Sequence, residues 1–203
     1  LVKEKYRDAE YAKGFSNERW DKLIEIWVLK NQHLYFNEGL TWTKISSTFG
    51  VRYIPRGIIF SDAGMMIFPK NNIDYLSGFL NSKVVPRLLM AKSENLNFNV
   101  NDISSIPFIQ LEDESIKQRI GILSQECIDI SKEEWDSRET SWDFKINGLF
   151  RHKNDSNRLE TAYNNYCVYW KEKFFKLHKN EEEVNQLFID IYDLNDELDN
   201  KVP

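Results

Sequence analysis

The spacing of apolar residues changes along this chain of 203 residues, and that spacing constrains the fold more than any other feature. Within residues 39–68, apolar and polar side chains alternate in short runs that glycine and proline interrupt. This pattern is typical of antiparallel strands joined by turns. On either side of it, apolar residues recur every three to four positions, which is the period of an amphipathic helix. The sequence therefore predicts an α+β fold: a small twisted antiparallel sheet with short helices, followed by an antiparallel helical bundle.

Residues 1–38 are the first of three predicted parts, an N-terminal helical segment. Ser16 or Asn17 suits the start of a helix, because its side-chain oxygen can accept hydrogen bonds from amides of the first turn. Trp20 and Ile24 follow at helical spacing. We expect this apolar stripe to be core rather than a ligand site.

Residues 39–111 are the second predicted part, which contains the sheet. We expect four short strands, at residues 40–45, 51–54, 57–60 and 65–68. Two short helices should follow, the first beginning at Asn71 or Asn72 and the second covering about residues 82–90. In residues 95–101 asparagine alternates with apolar residues, which predicts an extended segment before a short turn that begins at Asp102.

Residues 112–203 are the third predicted part, a charged helical region. Apolar residues at helical spacing predict three separate helices, over residues 116–130, 159–177 and 184–192. We expect these helices to pack antiparallel. Trp170 and Phe174 are predicted to belong to their core.

The charge of the chain is unevenly distributed, with a net value of −5. A lone DNA-binding module is usually basic, so this value argues against a simple one. From residue 38 to residue 110, however, seven lysine and arginine residues face five acidic residues, and the acidic excess lies in the C-terminal half. We expect a protein that contacts DNA through one surface only.

Several kinds of chemistry have no signature in the sequence. The two cysteines, Cys127 and Cys167, lie in helix-patterned stretches, which favours buried, reduced thiols in the cytoplasm over a disulfide. The three histidines share no ligand spacing with them, so no metal site is predicted. No apolar run approaches the roughly 18 residues that a membrane-spanning helix requires, and we expect no membrane association.

From residue 39 onward, the chain carries a series of short motifs in a fixed order. They are GLTWTKISS at 39–47, FGVRYIPRGIIF at 49–60, DAG at 62–64, IFP at 67–69, YLSGFLNSK at 75–83, NLNF at 95–98 and ISSIP at 103–107. Together they resemble the target-recognition region of the PglX-like adenine-specific DNA methyltransferases of BREX and phage-growth-limitation systems. SWDF at 141–144, LETAY at 159–163 and EEEVNQLFIDIY at 181–192 resemble the helical segment that follows in the same family.

The resemblance implies that the chain is part of an enzyme that methylates adenine with S-adenosylmethionine. The Asn-Pro-Pro-Tyr-type motif that holds the flipped adenine does not occur in the 203 residues, nor does the glycine-rich loop that holds S-adenosylmethionine. We therefore expect no catalytic residue and no cofactor in this chain, and a methyltransferase domain preceding it in a longer parent protein. The first residue, Leu1, is not methionine, which agrees with that expectation.

Residues 39–111 contain the types of side chain that reading a DNA duplex requires. Lysine and arginine bind phosphates, the arginine fork also matches the O6 and N7 acceptors of guanine, and short amides and hydroxyls suit base edges. The candidate DNA-binding residues are Lys44, Ser46, Ser47, Arg52, Tyr53, Arg56, Lys70, Lys83, Arg87, Asn95 and Asn97. Lys83 and Arg87 share a helix face at four-residue spacing. The alternative for the cations is a solvated surface with ion pairs, and Asn81 is expected to bond the backbone rather than a base.

Sequence-specific recognition of double-stranded DNA for an adenine methyltransferase is thus the predicted function. One alternative is the specificity module of a fused type II restriction-modification enzyme. Another is a protein-docking module whose acidic helices bind other subunits of a defence complex. Salt-dependent binding to duplex DNA would favour recognition over docking.

Overall fold

The computed structural model describes residues 14, 16–27, 30–60, 64–92, 97–155 and 157–203. Within them lies an antiparallel sheet of strands β1 (Gly39–Thr43), β2 (Val51–Ile54) and β3 (Gly64–Ile67), in the order β2-β1-β3. Leu40 on β1 pairs with Tyr53 on β2 and with Ile67 on β3. Leu40 and Trp42 are buried, whereas Thr43 is exposed, so the predicted alternation is confirmed. The α+β prediction is also confirmed.

The third of the four predicted strands, over residues 57–60, is wrong, because the structure has no strand there. Gly57 has a φ of +98° and begins a loop that is tied to Phe36 by two backbone hydrogen bonds. The Gly57 amide donates to the Phe36 carbonyl at 3.0 Å, and the Phe36 amide donates to the Ile58 carbonyl at 3.2 Å. Ile58 and Ile59 are both exposed, so this apolar run lacks the inward and outward alternation of a strand.

The helices of the described residues agree with most of the predicted ones. They are α1 (Asn17–Trp27), α2 (Ile73–Asn81), α3 (Val84–Lys92), α4 (Val100–Ser104), α5 (Glu114–Asp136), α6 (Gly148–Arg151) and α7 (Leu159–Ile191), with a short 3₁₀ turn at Gln32–Leu34. At the start of α1, Ser16 Oγ accepts a hydrogen bond from the Arg19 amide at 3.2 Å, which confirms the predicted cap. Asn72 stands at the N-cap of α2 in a left-handed conformation, with a φ of 56°.

The extended segment predicted at residues 95–101 ends earlier than expected, because α4 begins at Val100. The cause is a capping box at its start. The Asp102 carboxylate accepts a hydrogen bond from the Asn99 amide at 3.2 Å, and the Asn99 side chain accepts one from the amide of Asp102. Asp102, predicted to begin a turn, therefore lies inside the first turn of a helix.

The two helices predicted over residues 159–177 and 184–192 form one continuous helix of 33 residues, α7. The polar stretch between them was misinterpreted as a break. Asn180 lies in this stretch, is 5% exposed, and donates to the Glu126 carboxylate of α5 at 2.8 Å. A satisfied polar side chain thus fills a position where the pattern required an apolar one.

Two further predictions for this helix are wrong. Phe174, predicted to be core, is 57% exposed, and Cys167, expected to be buried, is exposed. Both are turned by about 100° or more around the helix axis from Lys173, which contacts α5.

The helices α5 and α7 form an antiparallel pair, as predicted. Their contacts run in opposite directions along the chain: Arg119 binds Glu183 at 2.7 Å, whereas Glu133 near the end of α5 binds Lys173 at 2.8 Å. Glu133 also accepts a hydrogen bond from the Tyr169 hydroxyl. Burial opposes ionisation of Glu133, but the bonds from Lys173 and Tyr169 leave its pKa below the ordinary value.

One hydrophobic core connects the sheet with the long helices. Its buried members include Trp42 from the sheet, Phe79 from α2, Ile120 from α5 and Phe188 from α7. This core therefore draws on residues from both the second and the third predicted part. The division of the chain at residues 38 and 111 remains a prediction of domain organisation.

Candidate nucleic-acid interface

The face of the sheet that points away from the core carries Arg52. Its cross-strand neighbour is Thr41 on β1, which pairs with Met66 on β3. Because side chains alternate along a strand, these residues lie opposite the buried Leu40. We call the face defined by Thr41, Thr43, Arg52 and Met66 the outer sheet face. Arg52 and Thr43 are exposed on it.

A junction next to the end of β1 brings distant candidate residues together. Ile45 forms an antiparallel bridge with Asn97, and the Phe98 amide donates to the Lys44 carbonyl at 2.8 Å. The buried Trp42 fixes this junction, because its indole N–H donates to the Phe98 carbonyl at 2.8 Å. We call residues 44–47 with Asn97 the β1 junction.

The β1 junction holds four of the candidate residues, namely Lys44, Ser46, Ser47 and Asn97. Ser47 and Asn97 are exposed, and Lys44 and Ser46 are half-buried. Lys44 lies three residues beyond Thr41, the partner of Arg52, so the backbone distance along β1 is about 10 Å. The junction thus lies next to the end of β1.

Tyr53 and Arg56 are held by a carboxylate that the sequence analysis did not identify. The Tyr53 hydroxyl donates to Glu38 at 2.8 Å, and the Arg56 guanidinium lies 3.4 Å from the other oxygen of Glu38. The hydrogen bond from Tyr53, and then the contact with Arg56, lower the pKa of Glu38. Burial and the bond to Glu38 raise the pKa of Tyr53.

Lys83 and Arg87 lie on one side of the molecule, as their spacing predicted, and both bind carboxylates of the C-terminal segment. Lys83 Nζ donates to Asp199 at 2.6 Å. Arg87 donates to one oxygen of Glu197 through two nitrogens, at 2.9 and 2.6 Å. The Lys83 amide also donates to Asn185 Oδ1 at 3.0 Å, which fixes the backbone here.

The candidate residues therefore fall into groups with different surroundings. Among the described residues, Lys44, Arg52 and the exposed Lys70 form no ion pair, whereas Arg56, Lys83 and Arg87 each bind a carboxylate. Asn95 lies outside the described residues. The structure places Lys44 just beyond the end of β1 and Arg52 on the adjacent strand β2, whereas it places Lys83 and Arg87 against the C-terminal segment.

Comparisons with known proteins reveal what the chain is related to. No family model matches it. The adenine-specific methyltransferase BrxX of Escherichia coli O9:H4 (strain HS) is 31% identical over 188 residues, which are 90% of this chain and 15% of BrxX. The adenine-specific methyltransferase PglX of Lacticaseibacillus casei (strain Zhang) is 32% identical over 169 residues, 80% of this chain and 14% of PglX.

The chain is homologous to one part of the adenine-specific methyltransferases BrxX and PglX. The family resemblance predicted from the ordered motifs is thereby confirmed. The chain spans about one seventh of the length of these methyltransferases. It corresponds to a small part of each.

The structure also bears on membrane insertion and on metal binding by this methyltransferase homologue. In the part of the chain that the structure describes, no helix is long and apolar enough to cross a membrane. The same residues contain no cluster of three or more histidine, cysteine or acidic side chains that would hold a metal ion.

Some residues that shape this surface carried no signal in the sequence. Glu38 is 15 residues from Tyr53, and Glu197 is 110 residues from Arg87, so neither pairing follows from local spacing. Asn81 behaves as predicted: its side-chain oxygen accepts a hydrogen bond from the Val51 amide at 2.8 Å. That bond joins the end of α2 to strand β2.

Proposed function

We propose that this chain is the DNA target-recognition part of an adenine-specific (N6) DNA methyltransferase in a phage-defence system, and that it binds double-stranded DNA sequence-specifically. The observation that supports this best is that Arg52 on β2 and Lys44 at the end of β1 bind no carboxylate among the described residues. A cation that binds no carboxylate is available for a phosphate or for a guanine.

The neutral groups of the β1 junction complete this surface. Ser47 and Asn97 are exposed beside Lys44, and hydroxyl and amide groups of this kind bond adenine edges and phosphate oxygens. Strands reach into a DNA groove in several known classes of DNA-binding protein. We assign Lys44, Ser46, Ser47, Arg52 and Asn97 to the centre of the interface. Lys70 is its next member.

The paired cations have a different place in the proposal. To bind DNA, each of these cations would have to leave its carboxylate for a phosphate or contact both groups at once. They are Arg56, Lys83 and Arg87. We place them at the margin of the interface. The Tyr53 hydroxyl remains bonded to Glu38, and Tyr53 lies on the opposite face of β2 from Arg52.

Methyl transfer belongs to the remainder of the parent enzyme in this proposal. The chain lacks the motifs for adenine and for S-adenosylmethionine, and the matched region is only 15% and 14% of its two homologues. The intact enzyme would act in the cytoplasm, where it would bind S-adenosylmethionine outside these residues. Other subunits of the defence system are further candidate partners.

The test uses the intact enzyme, a duplex that contains its methylation site and a scrambled duplex. Lys44→Ala should weaken the binding of both duplexes and reduce the slope of log affinity against log salt by about 0.9, which corresponds to one phosphate contact. Arg52→Ala should weaken binding of the site by about 1–3 kcal/mol more than binding of the scrambled duplex. Lys179→Ala is the matched control, because Lys179 is an exposed cation on α7, outside the proposed interface. Unchanged affinity in the first two variants would falsify the proposed interface.

A further inference from the structure

The exposed side of the β1 junction carries an isoleucine and an asparagine side by side. Ile45 is 67% exposed, although its side chain is large and apolar. It forms an antiparallel bridge with Asn97, which is also exposed. Residues directly opposite each other in an antiparallel pair point to the same face, with Cβ atoms roughly 4.5–5.5 Å apart. The two side chains therefore form one small surface, apolar on one side and amide on the other.

Neither side chain has a partner inside the described part of the fold. The side chain of Asn99, two residues beyond Asn97, accepts a hydrogen bond from the Asp102 amide. The Asn97 side chain forms no hydrogen bond with a described residue. Ile45 belongs neither to the buried core nor to the partly buried residues packed against it. Both groups are thus available to a ligand.

The backbone that carries this pair is held in place by hydrogen bonds. The Phe98 amide donates to the Lys44 carbonyl, and the Phe98 carbonyl accepts from the Trp42 indole, each at 2.8 Å. Trp42 is 2% exposed, and the rings of Phe98 and Phe49 have centroids 5.2 Å apart. Groups that are ordered before binding lose less entropy than groups on a mobile loop, so they discriminate better between ligands.

The chemistry of the pair matches the major-groove edge of an A·T base pair. Adenine presents the N7 acceptor and the N6 donor there, and a carboxamide can bond both through its nitrogen and its oxygen. Thymine presents its C5-methyl group, which apolar side chains contact. A G·C pair has no methyl group, and its guanine presents two acceptors that suit arginine or lysine. An amide beside an apolar side chain therefore favours A·T.

The neighbours of the pair favour DNA over a protein as the ligand. Lys44 directly precedes Ile45 and binds no carboxylate among the described residues, and Ser47 is exposed two residues further on. Lysine and serine are depleted at protein interfaces. Both residue types bond phosphate oxygens in complexes with DNA, where such contacts position the protein on the duplex.

We infer that Ile45 and Asn97 recognise one A·T base pair in the major groove, Ile45 through the thymine methyl group and Asn97 through N7 and N6 of the adenine. The inference rests on the proposed function and adds to it the identity of a base pair and a residue, Ile45, that the sequence analysis did not identify. A DNA methyltransferase flips its target base out of the stack. The pair recognised in the groove is therefore a second A·T pair of the methylation site, not the one that is methylated.

The test combines protein variants with base analogues in the intact enzyme. Each thymine of the methylation-site duplex is replaced in turn by uracil, which lacks the C5-methyl group, and each adenine by 7-deazaadenine, which lacks N7. For the parent enzyme, uracil at one position should weaken binding about fourfold, which corresponds to one buried methyl group. In the same base pair, 7-deazaadenine should weaken binding about 2–12-fold, which corresponds to one hydrogen bond.

The two variants should each lose one of these effects. In Ile45→Ala the effect of uracil at that position should disappear, and in Asn97→Ala the effect of 7-deazaadenine should disappear. Both side chains are exposed, so the fold should tolerate the changes. Ile122→Ala on α5 and Asn164→Ala on α7 are the matched controls, because they alter exposed residues of the same types and should keep both effects.

Several outcomes would overturn the inference. They are a parent enzyme that responds to none of the analogues, an Ile45→Ala variant that responds to uracil as the parent does, an Asn97→Ala variant that still responds to 7-deazaadenine, and sensitive bases that belong to two different base pairs. Competition binding against the unmodified duplex measures each response.

The proposed function is tested separately by Lys44→Ala and Arg52→Ala on unmodified duplexes. If those variants weaken binding while Ile45→Ala responds to uracil as the parent does, the interface stands and the assignment of the A·T pair is wrong. If they leave binding unchanged and the analogue effects persist in every variant, DNA is recognised outside this surface and the proposed function is wrong as well.

Discussion

The Lys83 ammonium donates to the Asp199 carboxylate at 2.6 Å and so joins residues that are 116 positions apart. Arg87 binds Glu197 beside it. The hydrogen bond from Lys83 lowers the pKa of Asp199, so this carboxylate stays ionised at neutral pH. The C-terminal segment thereby neutralises the two cations of α3 and the turn before it.

Removing these carboxylates should strengthen the binding of duplex DNA if Lys83 and Arg87 lie at the margin of the interface. In the intact enzyme, Glu197→Gln with Asp199→Asn should increase affinity for site and scrambled duplexes alike. The slope of log affinity against log salt should become steeper by up to about 0.9 for each freed cation. Fluorescence anisotropy at several salt concentrations measures the affinity and its dependence on salt. Equal slopes for the variant and the parent would remove Lys83 and Arg87 from the interface.

The crossing of α2 and α5 should not tolerate a methyl group at Gly78. A Cβ atom there would lie 2.3 Å from Ser124 Oγ, which is buried and has no hydrogen-bond partner among the described residues. Gly78→Ala should therefore lower the free energy of unfolding by about 1–3 kcal/mol, the usual cost of overpacking. Denaturant titration measures this change.

A second substitution separates this clash from a general effect of alanine. Adding Ser124→Ala removes the hydroxyl that the new Cβ would meet, so the double variant should recover part of the lost stability. Gly64→Ala is the control, because its Cβ would be 3.9 Å from the nearest atom, Thr41 Oγ1. Equal losses at Gly78 and Gly64 would contradict the close crossing.

The elements that the sequence predicted correctly are those in which local pattern and tertiary burial agree. Leu40 and Trp42 alternate with polar residues, and the core buries them on one face of the sheet. The loop at Gly57 has an equally apolar sequence, but among the described residues its backbone bonds to Phe36 and not to a strand. Periodicity alone cannot tell whether a neighbouring strand is present, and that neighbour decides the outcome.

The carboxylate partners of the candidate residues could not be predicted from the sequence. The four-residue spacing of Lys83 and Arg87 predicted that they share one face, whereas their carboxylates come from the C-terminal end of the chain. Likewise, α7 appeared to break near Asn180 because a hydrogen bond to Glu126 is invisible in a hydrophobic pattern. Long-range pairing of polar groups depends on the completed fold.

Glu181 on α7 should make stability depend on pH. Burial raises the pKa of Glu181 above its ordinary value, so the folded state holds the proton more tightly than the unfolded state does. Stability should then fall as pH rises from the unfolded pKa through the folded pKa. Glu181→Gln should accordingly stabilise the protein at pH 8, and the gain should shrink towards pH 4. Thermal unfolding at several pH values measures this gain in stability. Glu172→Gln, at an exposed position on α7, is the control for the change in net charge.

Arg52 and Tyr53 are adjacent on β2 but point to opposite faces of the sheet, and this difference gives a sharp test of the proposed interface. Arg52→Lys keeps the charge and loses the planar fork that matches guanine. In the intact enzyme it should keep the affinity for scrambled duplex and lose about 1–3 kcal/mol of discrimination for the methylation site. Tyr53→Phe removes only the bond to Glu38, so it should lower the melting temperature while leaving discrimination unchanged. Competition binding with the two duplexes measures discrimination. The proposal would be contradicted if Tyr53→Phe lost as much discrimination as Arg52→Lys. Discrimination would then not depend on which face of β2 a residue occupies, and the outer sheet face would no longer define the interface.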